Sequence, residues 1–271
     1  MHKGFFYTII FLLFCSGLFG QDDNNPDHVL FKKNKVKSVK VIEYRYRNGK
    51  ARGKGKLLFD RSYNKDGLLI ESDSYVMGKF HEEYRYNEKG ELIEDIGYVV
   101  GDPVSNPYTY KYDGKGRIIE TTEGPDKGKW YYKYDTAGNK TEIKWLYMGA
   151  SEPNSYFIDK FEYNAADKMV KMVRYNAGGS VYFYKTETYD ASGNLTEEIR
   201  FENNDTTDIW NYHYDSKGNC IENETFDKLK NKLNGWYKAN YDDKGLTIDI
   251  TGQLNSEERM YYRKYVYEFY D

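Results

Sequence analysis

Residues 110–120 read YKYDGKGRIIE and residues 132–142 read YKYDTAGNKTE, so the chain writes nearly the same phrase twice. The phrase is a turn signal. Asp or Asn at the first corner of a type I turn accepts backbone N–H groups, and Gly at the fourth enters the left-handed region, closing a hairpin with a bulge. Working outward, an anchor tyrosine recurs at Tyr63, Tyr86, Tyr112, Tyr134, Tyr163, Tyr189, Tyr214 and Tyr241, at intervals of 22 to 29 residues, with a truncated copy at Tyr267. Asn64, Asn87, Asp113, Asp135, Asn164, Asp190, Asp215 and Asp242 follow the anchors. Gly67, Gly90, Gly116, Gly138, Gly193, Gly218 and Gly245 stand three positions further, and only Asp167 breaks the series. Asp167 therefore marks the weak unit.

Around Asp113 the expected pairs are Asp113 with Arg117, Tyr112 with Ile118, Lys111 with Ile119 and Tyr110 with Glu120. Opposite residues share a face. One face then carries a tyrosine ladder with Leu69, Leu92, Ile118, Met169 and Leu195, beside a file of acids at Glu71, Glu94, Glu120, Glu142, Glu197, Glu222 and Asp249, interrupted by Lys171. Carboxylate to tyrosine hydroxyl contacts account for such a file without a ligand; a cation or glycan track is the sharper alternative. The fold class is all-β: a repeat array of antiparallel hairpins forming a curled or spirally wound meander. Residues 36–271 form this domain. "KSVKVIEYRYR" from Lys37 and "YRKYVYEFYD" from Tyr262 lack the turn and read as capping strands.

Composition agrees with such an array. The chain has 271 residues, of which 30 are Tyr and 31% are charged, a balance suited to pleated surfaces with one wet side. Residues 1–20, with Lys3, an apolar run from Phe5 to Leu13 and small residues up to Gly20, read as a secretory signal peptide. Residues 21–35 read as a flexible segment. After cleavage Cys220 is the sole cysteine, placed where other copies carry an aliphatic residue, so no internal disulfide and no membrane span are expected. From Lys32 to Lys56, eleven Lys or Arg face one acid, Glu43. That run suits either an anionic surface or a lysine-guarded edge strand.

The phrases YKYDGKGRIIE, YKYDTAGNKTE, TYDASGNLTEE and YHYDSKGNCIE resemble the YD repeat of Rhs and teneurin-type proteins, and YNEKGELIE and YNKDGLLIE are close variants. The resemblance covers Tyr63 to Asp249 and is closest to short exported repeat proteins of the Bacteroidetes type. It implies a rolled antiparallel sheet, a secreted, periplasmic or outer-surface location, and a link to carbohydrate binding. In long arrays of that family the sheet becomes a shell around a toxin; eight turns are too few to enclose a polypeptide cargo.

Catalytic chemistry is not legible. His28, His81 and His213 are scattered, and HEEYR from His81 lacks the second His of a zinc-protease helix. No cofactor, metal or nucleic-acid motif is present. The expected function is a non-enzymatic scaffold or binding module for a glycan or cell-surface polymer. Alternatives are an envelope accessory or immunity-like protein, docking through a sheet edge or the variable loops, and a carbohydrate-active enzyme. Candidate binding residues are Trp130, Trp145, Trp210 and Trp236, assigned to the neighbourhood of the variable loops, with Tyr110, Tyr132 and Tyr212.

Overall fold

The computed structural model describes residues 26–271 except 77, 100–101, 125–127, 148–155 and 254–258. The expected signal peptide, residues 1–20, lies outside the described residues. Helix α1 (Pro26–Lys33) precedes the strands β1 (Val36–Arg47), β2 (Lys50–Tyr63), β3 (Leu69–Ser74), β4 (Phe80–Tyr86), β5 (Leu92–Val99) and β6 (Asp102–Tyr112). There follow β7 (Ile118–Glu123), β8 (Gly128–Tyr134), β9 (Lys140–Tyr147), β10 (Tyr156–Tyr163), β11 (Met169–Asn176) and β12 (Val181–Tyr189). The chain ends with β13 (Leu195–Glu202), β14 (Asp205–Tyr214), β15 (Cys220–Asp227), β16 (Lys232–Tyr241), β17 (Thr247–Gln253) and β18 (Met260–Phe269).

Each strand pairs antiparallel with the next, and β18 pairs back onto β1, so the 18-stranded sheet is a closed barrel. This corrects the spirally wound meander. The two strands without a Tyr-Asp turn are the ones that meet, with Val39 opposite Tyr267 and Val41 opposite Tyr265. Their pairing satisfies the backbone groups that an open meander leaves bare at both ends. The seam is tied again where the Tyr270 hydroxyl donates to the Tyr63 carbonyl at 2.6 Å and Arg263 Nε to Glu43 at 3.0 Å.

The turns form as their residues dictate. Asp113 Oδ1 accepts the N–H groups of Lys115 and Arg117 at 2.8 and 3.0 Å, and the Gly116 N–H donates to the Asp113 carbonyl at 3.1 Å. Gly116 has φ +78°, and Asp167 is held at φ +56°, a conformation that costs an L-residue energy. Replacing Asp167 by Gly should raise stability by roughly 0.5 kcal/mol, the backbone gain being partly offset by loss of the Asn139 Nδ2 to Asp167 Oδ1 bond of 2.8 Å. A melting curve of the variant checks it.

One residue of bulge in each hairpin reorders the faces. Tyr112 pairs with Ile118 as expected, but Lys111 pairs with Glu120 and Tyr110 with Thr121. The acid file therefore leaves the tyrosine face, which corrects its assignment there. At three anchors a base stands one residue before the tyrosine and pairs with the file: Arg85 with Glu94 at 2.7 Å, Lys111 with Glu120 at 2.8 Å and Lys133 with Glu142 at 2.8 Å. Lys171, the interruption, pairs with Glu162 at 3.6 Å, the same contact with its charges exchanged.

The tyrosine hydroxyls go instead to backbone. Tyr86 donates to the carbonyl of Leu69, Tyr112 to Leu92, Tyr134 to Ile118, Tyr163 to Lys140, Tyr189 to Met169, Tyr241 to Cys220 and Tyr267 to Thr247, at 2.6 to 3.0 Å. Each of these seven tyrosines thus clasps the first strand residue after the preceding turn. This face also holds Leu92, Ile118, Thr121, Asp159, Met172, Cys220, Tyr261 and Arg263, all buried. Closure crowds side chains on the concave side and splays those outside, so the tyrosine face lines the lumen. Cys220 is buried there as the aliphatic substitute its position suggested.

Within the stretch read as flexible, Pro26–Lys33 form a helix. Proline suits a first helical turn, and Lys32 and Lys33 suit the negative end of the helix. The helix packs across the turn end of β1, β2 and β18: Leu30 and Phe31 join Val36, Val39, Tyr63, Leu246 and Tyr267. Phe31 meets Tyr63 edge-on at 4.7 Å. A Cβ on Gly67 would lie 2.6 Å from the His28 carbonyl, so glycine there is required by the helix as well as by the turn.

Among the described residues, no helix is long and apolar enough to cross a membrane. The outward face carries the repeated ion pairs just described.

Candidate functional site: the tyrosine-lined lumen

The tyrosine face turns to the inside of the ring, where Leu92, Ile118, Thr121 and Tyr261 are buried. This inner wall is the surface to search. Residues two and four positions before each anchor share the anchor's parity, and they place Tyr84, Tyr110, Tyr132 and Tyr212 together with Glu82, Asp159 and Lys185 on the lumen side.

On one wall, the Tyr110 hydroxyl donates to Asp95 Oδ2 at 2.6 Å, and Tyr132 and Thr121 share a hydroxyl contact of 3.2 Å. Burial pushes the Asp95 and Glu82 carboxyls above the ordinary carboxylate range. It also pushes the Tyr84 and Tyr110 hydroxyls upward, reinforced by the neighbouring carboxylates Glu82 and Asp95. The wall is a half-dry network of hydroxyl donors and carboxyl groups.

Towards the end far from the turns, rings follow one another across the strands. Tyr108 and Trp130 have centroids 5.9 Å apart, Trp130 and Trp145 5.7 Å with planes 16° apart, Trp145 and Phe157 5.9 Å, and Phe157 and Tyr182 5.6 Å. The buried Trp145 Nε1–H has no acceptor among the described residues. Beyond the rings, Arg174 grips buried Asp159 with two bonds, Nε to Oδ1 at 2.6 Å and Nη2 to Oδ2 at 2.7 Å, and lies over the Phe183 ring at 5.2 Å. Lys185 bridges Glu187 and Glu198 at 2.8 and 2.7 Å.

Of the seven residues expected to bind, Tyr110, Tyr132, Tyr212, Trp130, Trp145 and Trp210 line the lumen. Trp236 does not. It opposes Glu224 and Gln253 on the outward face, with its Nε1–H 3.3 Å from Gln253 Oε1. The tryptophans sit within β8, β9, β14 and β16, on the strands that lead to or from the variable loops. Two of those loops, at 125–127 and 148–155, lie wholly or partly outside the described residues. Sequence reasoning missed Glu82, Asp95, Asp159, Arg174 and Lys185. Parity with the anchor would have found Glu82, Asp159 and Lys185; Asp95 and Arg174 sit beyond the bulge, where parity inverts.

Opposed titrations make the fold sensitive to pH. Asp113, held by its Arg117 bond and by backbone N–H groups, has a pKa of about 2, below the ordinary value. Its contribution is present above the unfolded pKa and lost as pH falls towards about 2. Glu82 and Asp95 have raised values, so their contribution is full below the unfolded pKa and lost as pH rises through the folded one. Stability should therefore peak in mildly acidic solution and fall towards neutrality. In a melting series against pH, E82Q/D95N should flatten the fall towards neutrality and leave the acid limb in place.

No family model matches the chain, and no curated protein matches it. Among solved structures it is similar to a porin-like protein from Bacteroides uniformis, with 11% identity and a TM-score of 0.47, over 86% of this chain and 98% of that one. A porin-like protein from Bacteroides vulgatus gives 13% identity and a TM-score of 0.38, over 86% and 99%. The Tc holotoxin pore of Photorhabdus luminescens gives 11% identity and a TM-score of 0.32, over 74% of this chain and only 12% of the toxin chain. Scores at this level say nothing of what the chain binds.

Proposed function

We propose that this is a non-enzymatic, exported binding module of the cell envelope that holds a glycan or cell-surface polymer against its lumen wall. The observation that carries the reading is the Tyr110–Asp95 contact of 2.6 Å, set among Tyr84, Tyr132 and Glu82 and flanked by the Trp130–Trp145 stack at 5.7 Å. Convergent hydroxyl and carboxyl groups beside apolar rings suit a polyhydroxylated chain, which presents both hydrogen-bonding edges and C–H faces. A protein partner could add a strand only along β2 ahead of Phe59, where pairing with β3 has not begun; pairing of β1 with β18 closes the ring elsewhere among the described residues, leaving loops and outer faces.

The test is a glycan array followed by calorimetry on the strongest hits. Tyr110→Phe and Trp145→Ala should each weaken binding about tenfold, whereas Trp236→Ala, on the outward face, should leave it unchanged. An array without a hit, together with no binding to purified envelope fractions, would end the glycan reading.

A further inference from the structure

The basic run resolves into a specific grid. At the tip of the β1–β2 hairpin, beyond the Asn48–Gly49 turn, Arg47 lies directly opposite Lys50, and Arg45 directly opposite Arg52. All four are exposed. Directly opposed like charges destabilise a sheet, and here two such pairs stand in succession. Among the described residues none of the four has an acidic partner, and Glu43, the acid of this region, is already engaged by buried Arg263 at 3.0 Å.

The grid faces the lumen side. Arg45 pairs with Tyr261 and Glu43 with Arg263 along β18, and both of those partners are buried on the tyrosine face. Pairing between β2 and β3 begins only at Phe59, so on that side the tip rises roughly 20 Å above the wall, while on the β18 side Arg45 still pairs with Tyr261 and only the Arg47–Lys50 end projects beyond it. Four cations therefore overhang one mouth of the barrel. Opposed residues are about 5 Å apart and successive same-face residues about 7 Å apart, close enough for consecutive carboxylates of one extended polymer.

We infer that Arg45, Arg47, Lys50 and Arg52 form a mouth site for a carboxylated polysaccharide, so that the glycan taken up by the lumen is acidic. This rests on the glycan reading and narrows its ligand class. An anionic bilayer is the less suited partner, since the cations turn towards the lumen axis rather than outward. Deeper in the lumen the wall is itself carboxylate-rich, so the anionic groups are held at the mouth.

The probe is an oligogalacturonate, with a neutral maltodextrin of similar length, polyphosphate and phosphatidylglycerol vesicles alongside. Oligogalacturonate should bind more tightly than maltodextrin, and the preference should shrink with added salt. The variant R45Q/R47Q/K50Q/R52Q should lose roughly 30-fold in oligogalacturonate affinity, while K115Q/K217Q/K244Q, at the opposite turns, should lose none. Without ligand the quadruple variant should melt higher than the parent, because its opposed charges are gone; oligogalacturonate should raise the parent's melting temperature and not the variant's. Equal binding of maltodextrin and oligogalacturonate would overturn this inference and leave the lumen reading standing. Binding of polyphosphate or vesicles but of neither carbohydrate would overturn both.

Discussion

A chain ending before β18, with residues 260–271 removed, should lose its cooperative melting transition and elute as aggregate in size-exclusion chromatography. The deletion removes the β1–β18 and β17–β18 ladders, the buried Tyr261 and Arg263, and the hydroxyl clasps from Tyr267 and Tyr270. It also strands Glu43 and exposes two long strand edges. A matched permutant separates ring closure from simple loss of mass. Tyr270 N–H donates to the Lys35 carbonyl at 2.8 Å, so the end of the chain lies beside the start of β1. Joining Asp271 to Pro26 through a flexible linker, and opening the exposed Gly178–Gly179 turn, should preserve the fold. If the deletion variant instead melts as one cooperative unit with a modest loss, the ring is not what holds the molecule together.

Asp159→Ala should be the most damaging single change in the lumen wall. It strips Arg174 of both short bonds and leaves a guanidinium between Phe157 and Phe183 without its counter-charge. Loss of one member of a buried pair costs about 3–5 kcal/mol. Arg174 keeps 24% side-chain exposure, so water recovers part of that, and about 2–3 kcal/mol is expected. The double variant Asp159→Ala/Arg174→Met should regain part of the loss, because no unpaired charge remains. Strictly additive single and double losses in denaturant titrations would mean that the two residues act independently.

The hairpins were legible because their cause is local. Asp113 and Gly116 shape one turn within five residues, and Asp167 stands where its departure from Gly predicted strain. The distribution of side chains between faces was not legible, because a single bulge residue after each turn, Ile119 in the hairpin at Asp113, reverses everything beyond it: Glu120 answers Lys111, not Tyr110. Closure was hidden for a different reason. The capping strands are visible as strands, but their preference for each other depends on shape summed around the whole ring. Helix α1 escaped notice because eight polar-leaning residues carry little amphipathic pattern, and its place is fixed by Phe31 meeting Tyr63 across the turns. At the site, residues sharing the anchor's parity were within reach, whereas the charge grid required knowing which basic residues stand opposite each other.

The clasp between an anchor hydroxyl and the preceding unit has an evolutionary corollary. What a tyrosine recognises next door is a main-chain carbonyl, present whatever side chain sits there: Leu92, Lys140, Met169 and Cys220 serve equally. Neighbouring units therefore place no demand on one another's sequence at that contact. Units can diverge, be copied or be exchanged without relearning their neighbours, and each added hairpin widens the circumference by about 10 Å. Only the two strands that meet at the seam must change together.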